Sequence, residues 1–254
     1  MSALDEQIDQ KTREAYEKTR NFNAQIDNVL SWVPEPLAYL IEPIAQGMKV
    51  MALGVDDLFK FCNEQIDNCG DEDRLRAVGV AWVTRVGDVL GDIAGDIGLE
   101  KFQAPIEWTG RAARAYQLTV PPQAAGLNAV KDIANQMQSS LNNLANAVES
   151  FKVAMLLALA GFAVAAVGAV AGAMTVVGAP AAVVAVTTAI GVSLAVFGSA
   201  LVAMNSHVAT IKTEQTTLQQ KIHDLGKTWA VPNTGNMADA SVADGDSSDW
   251  RPDS

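Results

Sequence analysis

The side chains of this 254-residue chain best suited to chemistry are two cysteines and two histidines, and their spacing limits what they do. Cys62 and Cys69 are seven residues apart, which on an unbroken helix separates their α-carbons by about 10 Å. A disulfide needs them within about 7 Å, so pairing requires the helix to end near Asn68, where Gly70 follows; otherwise both stay half-buried free thiols. His207 and His223 stand sixteen residues apart, with no thiol or carboxylate cluster at ligand spacing beside them. His207 borders an apolar run, and a histidine changes charge between about pH 5 and 8, so it is either a proton-sensitive element or an ordinary interfacial side chain. No Gly-x-Ser-x-Gly, phosphate loop or dinucleotide fingerprint occurs. The chain therefore reads as non-enzymatic, with no catalytic group, cofactor, metal site or small-molecule substrate expected.

The element that must organise everything else is the stretch 153–204. No charged side chain interrupts it, and none occurs between Lys152 and Lys212. A single bilayer-spanning helix needs about 20 apolar residues, so the run suffices for two, and Gly178-Ala179-Pro180 near its middle predicts a helical hairpin turning there. The first arm carries eight Leu, Ile, Phe or Val residues and the second ten, worth about -2 to -6 kcal/mol per arm on an insertion scale before Gly, Ser and Thr subtract from it. Such marginal insertion suits a segment carried in soluble form that inserts later. Gly161, Gly168 and Gly172 on one arm, and Gly191, Ala195 and Gly198 on the other, recur at helix-packing intervals and predict smooth faces through which the two arms approach. Leu156, Leu159, Phe162, Gly168, Gly172, Pro180, Gly191, Leu194, Phe197 and Gly198 are the candidate residues of a hairpin that meets either lipid or other copies of itself.

The formal net charge of -11 argues against nucleic acid and against electrostatic attraction to anionic lipid, so any membrane contact has to be hydrophobic. The first twenty residues are polar and charged, with no apolar core or small-residue cleavage site, and predict no general secretory signal.

Residues 4–30 predict a helix with Leu4, Ile8, Phe22, Ile26 and Val29 inward, broken by Pro34 and Pro36. A second helix from Leu37, kinked or restarted at Pro43, stops near Cys69 and Gly70. Acidic residues 71–73 open a third, in which Leu75, Val78, Trp82, Val86, Val89, Ile93 and Ile97 form an apolar stripe. Five glycines, at 79, 87, 91, 95 and 98, weaken that helix in isolation and predict close partners. After Pro121 and Pro122 a long helix begins at about Gln123, with Val130, Ile133, Met137, Leu141, Leu144, Val148 and Phe151 at near-heptad spacing. Beyond the hairpin, Val208, Ile211, Gln215, Leu218, Ile222 and Leu225 continue the same alternation, and the acidic, turn-rich tail after Trp229 predicts disorder. The expected fold is all-α: an elongated antiparallel helical bundle with an N-terminal helical segment (1–70), a long helical hairpin domain (71–228) ending in the apolar helix-turn-helix tip 153–204, and a disordered acidic tail (229–254).

Trp108-Thr109-Gly110, followed by Ala112, Ala113, Ala115 and Tyr116, resembles the Trp-x-Gly turn and following helix of the WXG superfamily, helical-hairpin proteins exported by type VII (ESX) secretion systems of actinobacteria and firmicutes. The helix around Trp82 also looks like the first helix of that hairpin, and the resemblance covers about residues 71–150. It implies that Trp108 and Gly110 form a secretion-signal turn, supported by Tyr116. It also implies a WXG-type helical partner or a homo-oligomer, and a secreted or cell-envelope location in an actinobacterium. The chain departs from the family's Tyr-x-x-x-Asp/Glu element, since Arg20, Pro43 and Val120 stand four residues after its tyrosines. The layout of amphipathic stems carrying an apolar hairpin is similar to that of α-helical pore-forming toxins of the cytolysin A type. A resident two-span membrane protein and a soluble oligomer that buries the hairpin are the alternatives.

Overall fold

A computed structural model describes residues 2–98 and 111–228, and all regular structure among these residues is helical. Trp108 and Gly110 lie outside the described residues, as does the tail from 229, and Tyr116 falls on a helix but its side chain is not among those described. The helices are α1 (Ala3–Leu30), α2 (Ile41–Asn68), α3 (Glu72–Trp82), α4 (Asp88–Asp96), α5 (Arg111–Ala173) and α6 (Ala179–Thr228). A 3-10 segment, Glu35–Leu40, leads into α2, and one π-helical turn, Val83–Gly87, joins α3 to α4. The chain forms two compact units that are discontinuous in sequence: Met1–Asp73 with Leu144–Ala209, and Arg74–Asn143 with Thr210–Ser254. The N-terminal segment does not stand apart as a linear reading expects, because it shares a core with the apolar hairpin.

In the first unit, α1 opens on a capping box in which the Ser2 hydroxyl accepts from the Asp5 N–H and the Asp5 carboxylate accepts from the Ser2 N–H at 2.7 Å. Ile8, Ala15, Phe22, Ile26 and Val29 point inward, the stripe expected from their spacing. Pro43 sits in the first turn of α2, where its missing N–H breaks no helical bond, so the helix restarts there. Gly70, with φ of 85°, lies in the left-handed region and ends the path of α2 beyond Cys69.

The apolar hairpin turns at 174–178, as Gly178 and Pro180 predict. A β-carbon on Gly178 would come within 2.4 Å of the Gly172 carbonyl oxygen, so only glycine fits this close approach. Pro180 occupies the second position of α6, where a proline costs no backbone bond. The arms 153–173 and 179–204 run antiparallel: the Ser193 hydroxyl donates to the Ala158 carbonyl at 3.2 Å, and a β-carbon on Gly172 would meet that of Ala182 at 3.4 Å.

The glycines responsible for the closest packing are on α2. A β-carbon on Gly47 would lie 2.7 Å from Val183 Cγ1, and one on Gly54 would lie 3.0 Å from Ile190 Cγ2; one heptad further, the rings of Phe61 and Phe197 stack with centroids 5.2 Å apart. Each step is seven residues on both helices, so α2 runs parallel to the second arm in coiled-coil register. The expected role of Gly161, Gly168, Gly191 and Gly198 in arm-to-arm packing is corrected by this geometry, because a β-carbon at any of the four meets open space. The arms meet at Ala158 and Ser193 and at Gly172 and Ala182 instead, and Ala166, Ala169 and Ala173 are buried as well, alanine's single methyl group permitting close approach at less conformational cost than glycine.

In the second unit, α3 and α4 pack on α5 through small residues. β-carbons on Gly79, Gly87 and Gly91 would come within 2.8–3.3 Å of Gln138, Ala134 and Lys131 side chains. The expected apolar stripe faces the other way: Val78, Trp82, Val89 and Ile93 are exposed. Glycine admits the neighbouring backbone, so close contact won over side-chain burial. Helix α5 also runs through Pro121 and Pro122 rather than starting after them. Proline's fixed φ is itself helical, and the interruption is confined to the carbonyls that lose their donors. On the returning helix Leu218 is buried, but Gln215 and Ile222 are exposed, and Glu214 takes the seam position by accepting from the Ser140 hydroxyl. Lys221 Nζ donates to Gln136 Oε1 at 2.7 Å.

Gly47→Leu is expected to cost about 1–3 kcal/mol through overpacking against Val183, and Gly168→Leu to leave the melting temperature unchanged or slightly raised, since it adds helix propensity in open space. Thermal unfolding of the two variants checks this; equal destabilisation by both would refute the asymmetry.

Candidate functional site

The hairpin is covered on one side only. Leu159, Phe162 and Phe197 lie fully buried against Ile44, Met51 and Leu58 of α2 and Phe22 and Ile26 of α1, while Leu156 and Leu194 are half-buried at the margin. The opposite side holds Leu157, Val164, Val167, Val184, Val192 and Val202, all at least half exposed, with Gly161, Gly168, Gly191 and Gly198 between them. Helices Val120–Ala173 and Ala179–Leu225 contain stretches long and apolar enough to cross a membrane, and only 39% and 33% of those stretches are buried. Each arm is therefore amphipathic in an unusual sense: one apolar face meets protein and a second apolar face meets solvent.

At the base of the first arm a cluster of charge is closed off from water. Lys152 is 1% exposed, and its ammonium lies 2.7 Å from Asp5 Oδ1 and 2.7 Å from Glu72 Oε2, with the Ser2 hydroxyl at 3.3 Å. Three chain segments meet here: the cap of α1, the first residue of α3 and the last charged position before the hairpin. Burial pushes both carboxyls upward. Lys152, with the Ser2 backbone N–H on Asp5 and the Ser2 hydroxyl on Glu72, outweighs it and holds both below their ordinary values. Burial likewise pushes Lys152 down, but hydrogen bonds and charge from Asp5 and Glu72 leave its pKa raised. The cluster thus stays ionised at neutral pH. Sequence reasoning missed it, although two signals were present: the Ser2-x-x-Asp5 capping spacing, and the position of Lys152 as the last charge before a long uncharged run.

Both thiols are free, Cys62 buried and Cys69 half-buried. Helix α2 ends at Asn68 with Cys69 as its C-cap, so the helix does end where a disulfide would require, yet the two cysteines are unpaired with each other. Burial pushes the pKa of Cys62 up to about 12 and that of Cys69 to about 11, Lys152 partly opposing the second. Cys69 Sγ lies 3.8 Å from Met204 Sδ. His207 and His223 are both exposed on α6. Among the described residues no group of three histidine, cysteine or acidic side chains is placed to hold a metal ion. Comparison of the chain with protein-family models, with curated proteins and with solved structures found no match.

Lys152→Met should cost about 3–5 kcal/mol at pH 7 by leaving two buried carboxylates without their counter-charge. The depressed carboxyls give stability that is present above their ordinary values of 3.8 and 4.5 and is lost as pH falls through the lower folded values. In the variant the sign reverses, because unpaired buried carboxyls titrate higher when folded than unfolded, so acidification from pH 7 stabilises it. Denaturant unfolding between pH 3 and 7 distinguishes the two slopes, and parallel profiles would show that the ion cluster carries no linkage.

Proposed function

We propose that the chain is a non-enzymatic, membrane-interacting helical protein, held soluble by α1 and α2 and able to place its apolar hairpin in a bilayer when those helices give way. The observation that carries this reading is the two-faced hairpin. Its arms have bilayer length, and only 39% and 33% of their most apolar stretches are buried, the rest being half-buried or exposed. Burial of that share against α1 and α2 offsets a modest insertion energy, so the two environments are close competitors. A resident two-span protein has no need of a sheath whose own apolar residues match the hairpin in heptad register. A soluble oligomer remains the second reading, favoured by the heptad spacing of the exposed Ala181, Val184, Thr188, Gly191, Ala195, Gly198 and Val202.

The resemblance to type VII secretion substrates adds an exported or cell-envelope setting, and the outward stripe of Val78, Trp82, Val89 and Ile93 suits a helical partner for an exported complex. This part of the proposal rests on the Trp108-Thr109-Gly110 pattern.

Val164→Asp combined with Val184→Asp is expected to abolish flotation with, and dye leakage from, phosphatidylcholine vesicles, since each buried charge costs about 2.5–3.5 kcal/mol at a helix centre in lipid. Both sites are exposed, so soluble stability should stay within about 0.5 kcal/mol of wild type. Wild-type protein that stays soluble and never floats would overturn the membrane reading in favour of the oligomer. Trp108→Ala should reduce the amount in culture supernatant of a host with a type VII system; undiminished export removes that motif from the proposal.

A further inference from the structure

Two turns of the first unit fall at the same end. Helix α1 starts at the base, where Ser2 and Asp5 meet Lys152, and its 28 residues carry it about 42 Å away. Helix α2 then returns in parallel register with the second arm, Gly47 facing Val183 near the hairpin turn and Cys69 facing Met204 near the base. The connection 31–40 between α1 and α2 therefore lies beside the hairpin turn 174–178. At this end Trp32 is 54% exposed, Tyr39 70%, Met174 57% and Val177 70%. Val33, Leu37 and Leu40 pack inward against the core, and Pro34 and Pro36 fix their backbone φ, so the two aromatic rings are held outward by a stiff, anchored connection.

We propose that this end, with Trp32 and Tyr39 as its anchors, is the surface that first docks on a zwitterionic phospholipid bilayer. The inference rests on the membrane reading above and names the part of the molecule that meets lipid before the hairpin moves. An aromatic ring with one polar atom fits the headgroup layer, where an apolar body and a wet tip are both satisfied. Charge points to the same lipid class. Glu35 is the sole charged residue from 28 to 41, and the turn 174–178 has none, so nothing here attracts an anionic headgroup and little repels a neutral one. Met174 and Val177 lie in the turn that joins the two stretches of bilayer length, so a bilayer docked at this end meets the hairpin at its turn, and a second copy seated there is the outcome the fluorescence test separates.

The test uses the full chain and phosphatidylcholine vesicles whose acyl chains are brominated near the headgroup. The vesicles should quench part of the tryptophan fluorescence, and Trp32→Phe should remove that part. Trp32→Ala with Tyr39→Ala should weaken vesicle binding about tenfold while leaving thermal unfolding unchanged, both side chains being exposed. A polarity-sensitive dye on Val164→Cys reports the hairpin independently, because the native thiols, with pKa values near 12 and 11, label slowly. If the dye enters lipid while Trp32 stays unquenched and the double variant binds normally, the docking proposal falls and the membrane reading stands. If neither probe responds, both fall. If the Trp32 emission shifts on raising protein concentration without vesicles, this end is an interface between copies and the proposal is overturned.

Discussion

A lysine ammonium shut away from water between two carboxylates is the interaction on which the first unit depends. Desolvating one cation and two anions is unfavourable, and only their mutual geometry repays it. That geometry exists when α1, α3 and the start of the hairpin are all in place, because Asp5, Glu72 and Lys152 come from three separate stretches of chain. The cluster contributes less to net stability than to uniqueness. Any slide of α1 along the hairpin by one turn, about 5.4 Å, would separate Asp5 from Lys152 and leave buried charge unpaired. Apolar faces tolerate such slides, and the hairpin has little else to fix its register at this end.

The heptad register of α2 fixes the other side. Gly47 and Gly54 let Val183 and Ile190 seat against the α2 backbone, and the Phe61 ring closes the row on Phe197. Together the two devices hold a sheath over one face of a hairpin whose other face stays apolar and uncovered. A protein selecting for the soluble state alone would cover or polarise that second face, since large exposed apolar patches mark interaction surfaces or association hazards. The uncovered valines and the one-sided cover together leave an apolar face available for interaction, the feature on which the proposed membrane reading rests.

Much of this was legible from residue order. The boundaries of α1, the break at Pro34 and Pro36, the restart at Pro43, the stop near Gly70 and the turn at Gly178 all follow from proline and glycine chemistry that acts locally. What failed was the assignment of faces. Glycines on the hairpin were read as its packing surface, yet Gly168 and Gly191 face open space and Gly47, on a helix more than a hundred residues away, makes the close contact. The same inversion occurs along α3 and the π-helical turn after it, where Gly79 and Gly87 are packed and Trp82 is not. A helix with apolar residues all round carries no periodic signal for which side meets which partner, so the choice is made by tertiary shape. The ion cluster was hidden for a related reason: its members are separated by up to 150 residues, and no local pattern links them.

The cluster also constrains what releases the hairpin. Mild acid is often the simplest trigger for an inserting helix pair, and His207 beside the apolar run invites that view. Yet His207 is exposed, whereas the groups that tie α1 to the hairpin are carboxyls held below their ordinary range. At pH 5 they remain ionised and the tie remains made. Release through their protonation would need a pH below the ordinary carboxyl values of 3.8 and 4.5. On the proposed membrane reading the alternative is competition: a bilayer that takes up Trp32 and Tyr39 would add apolar contact to the far end of α1 and α2, away from the Lys152 ion pairs. On that reading, opening from this end would separate α2 from the second arm heptad by heptad, and the charged base would be the last contact to yield, a hinge rather than a latch.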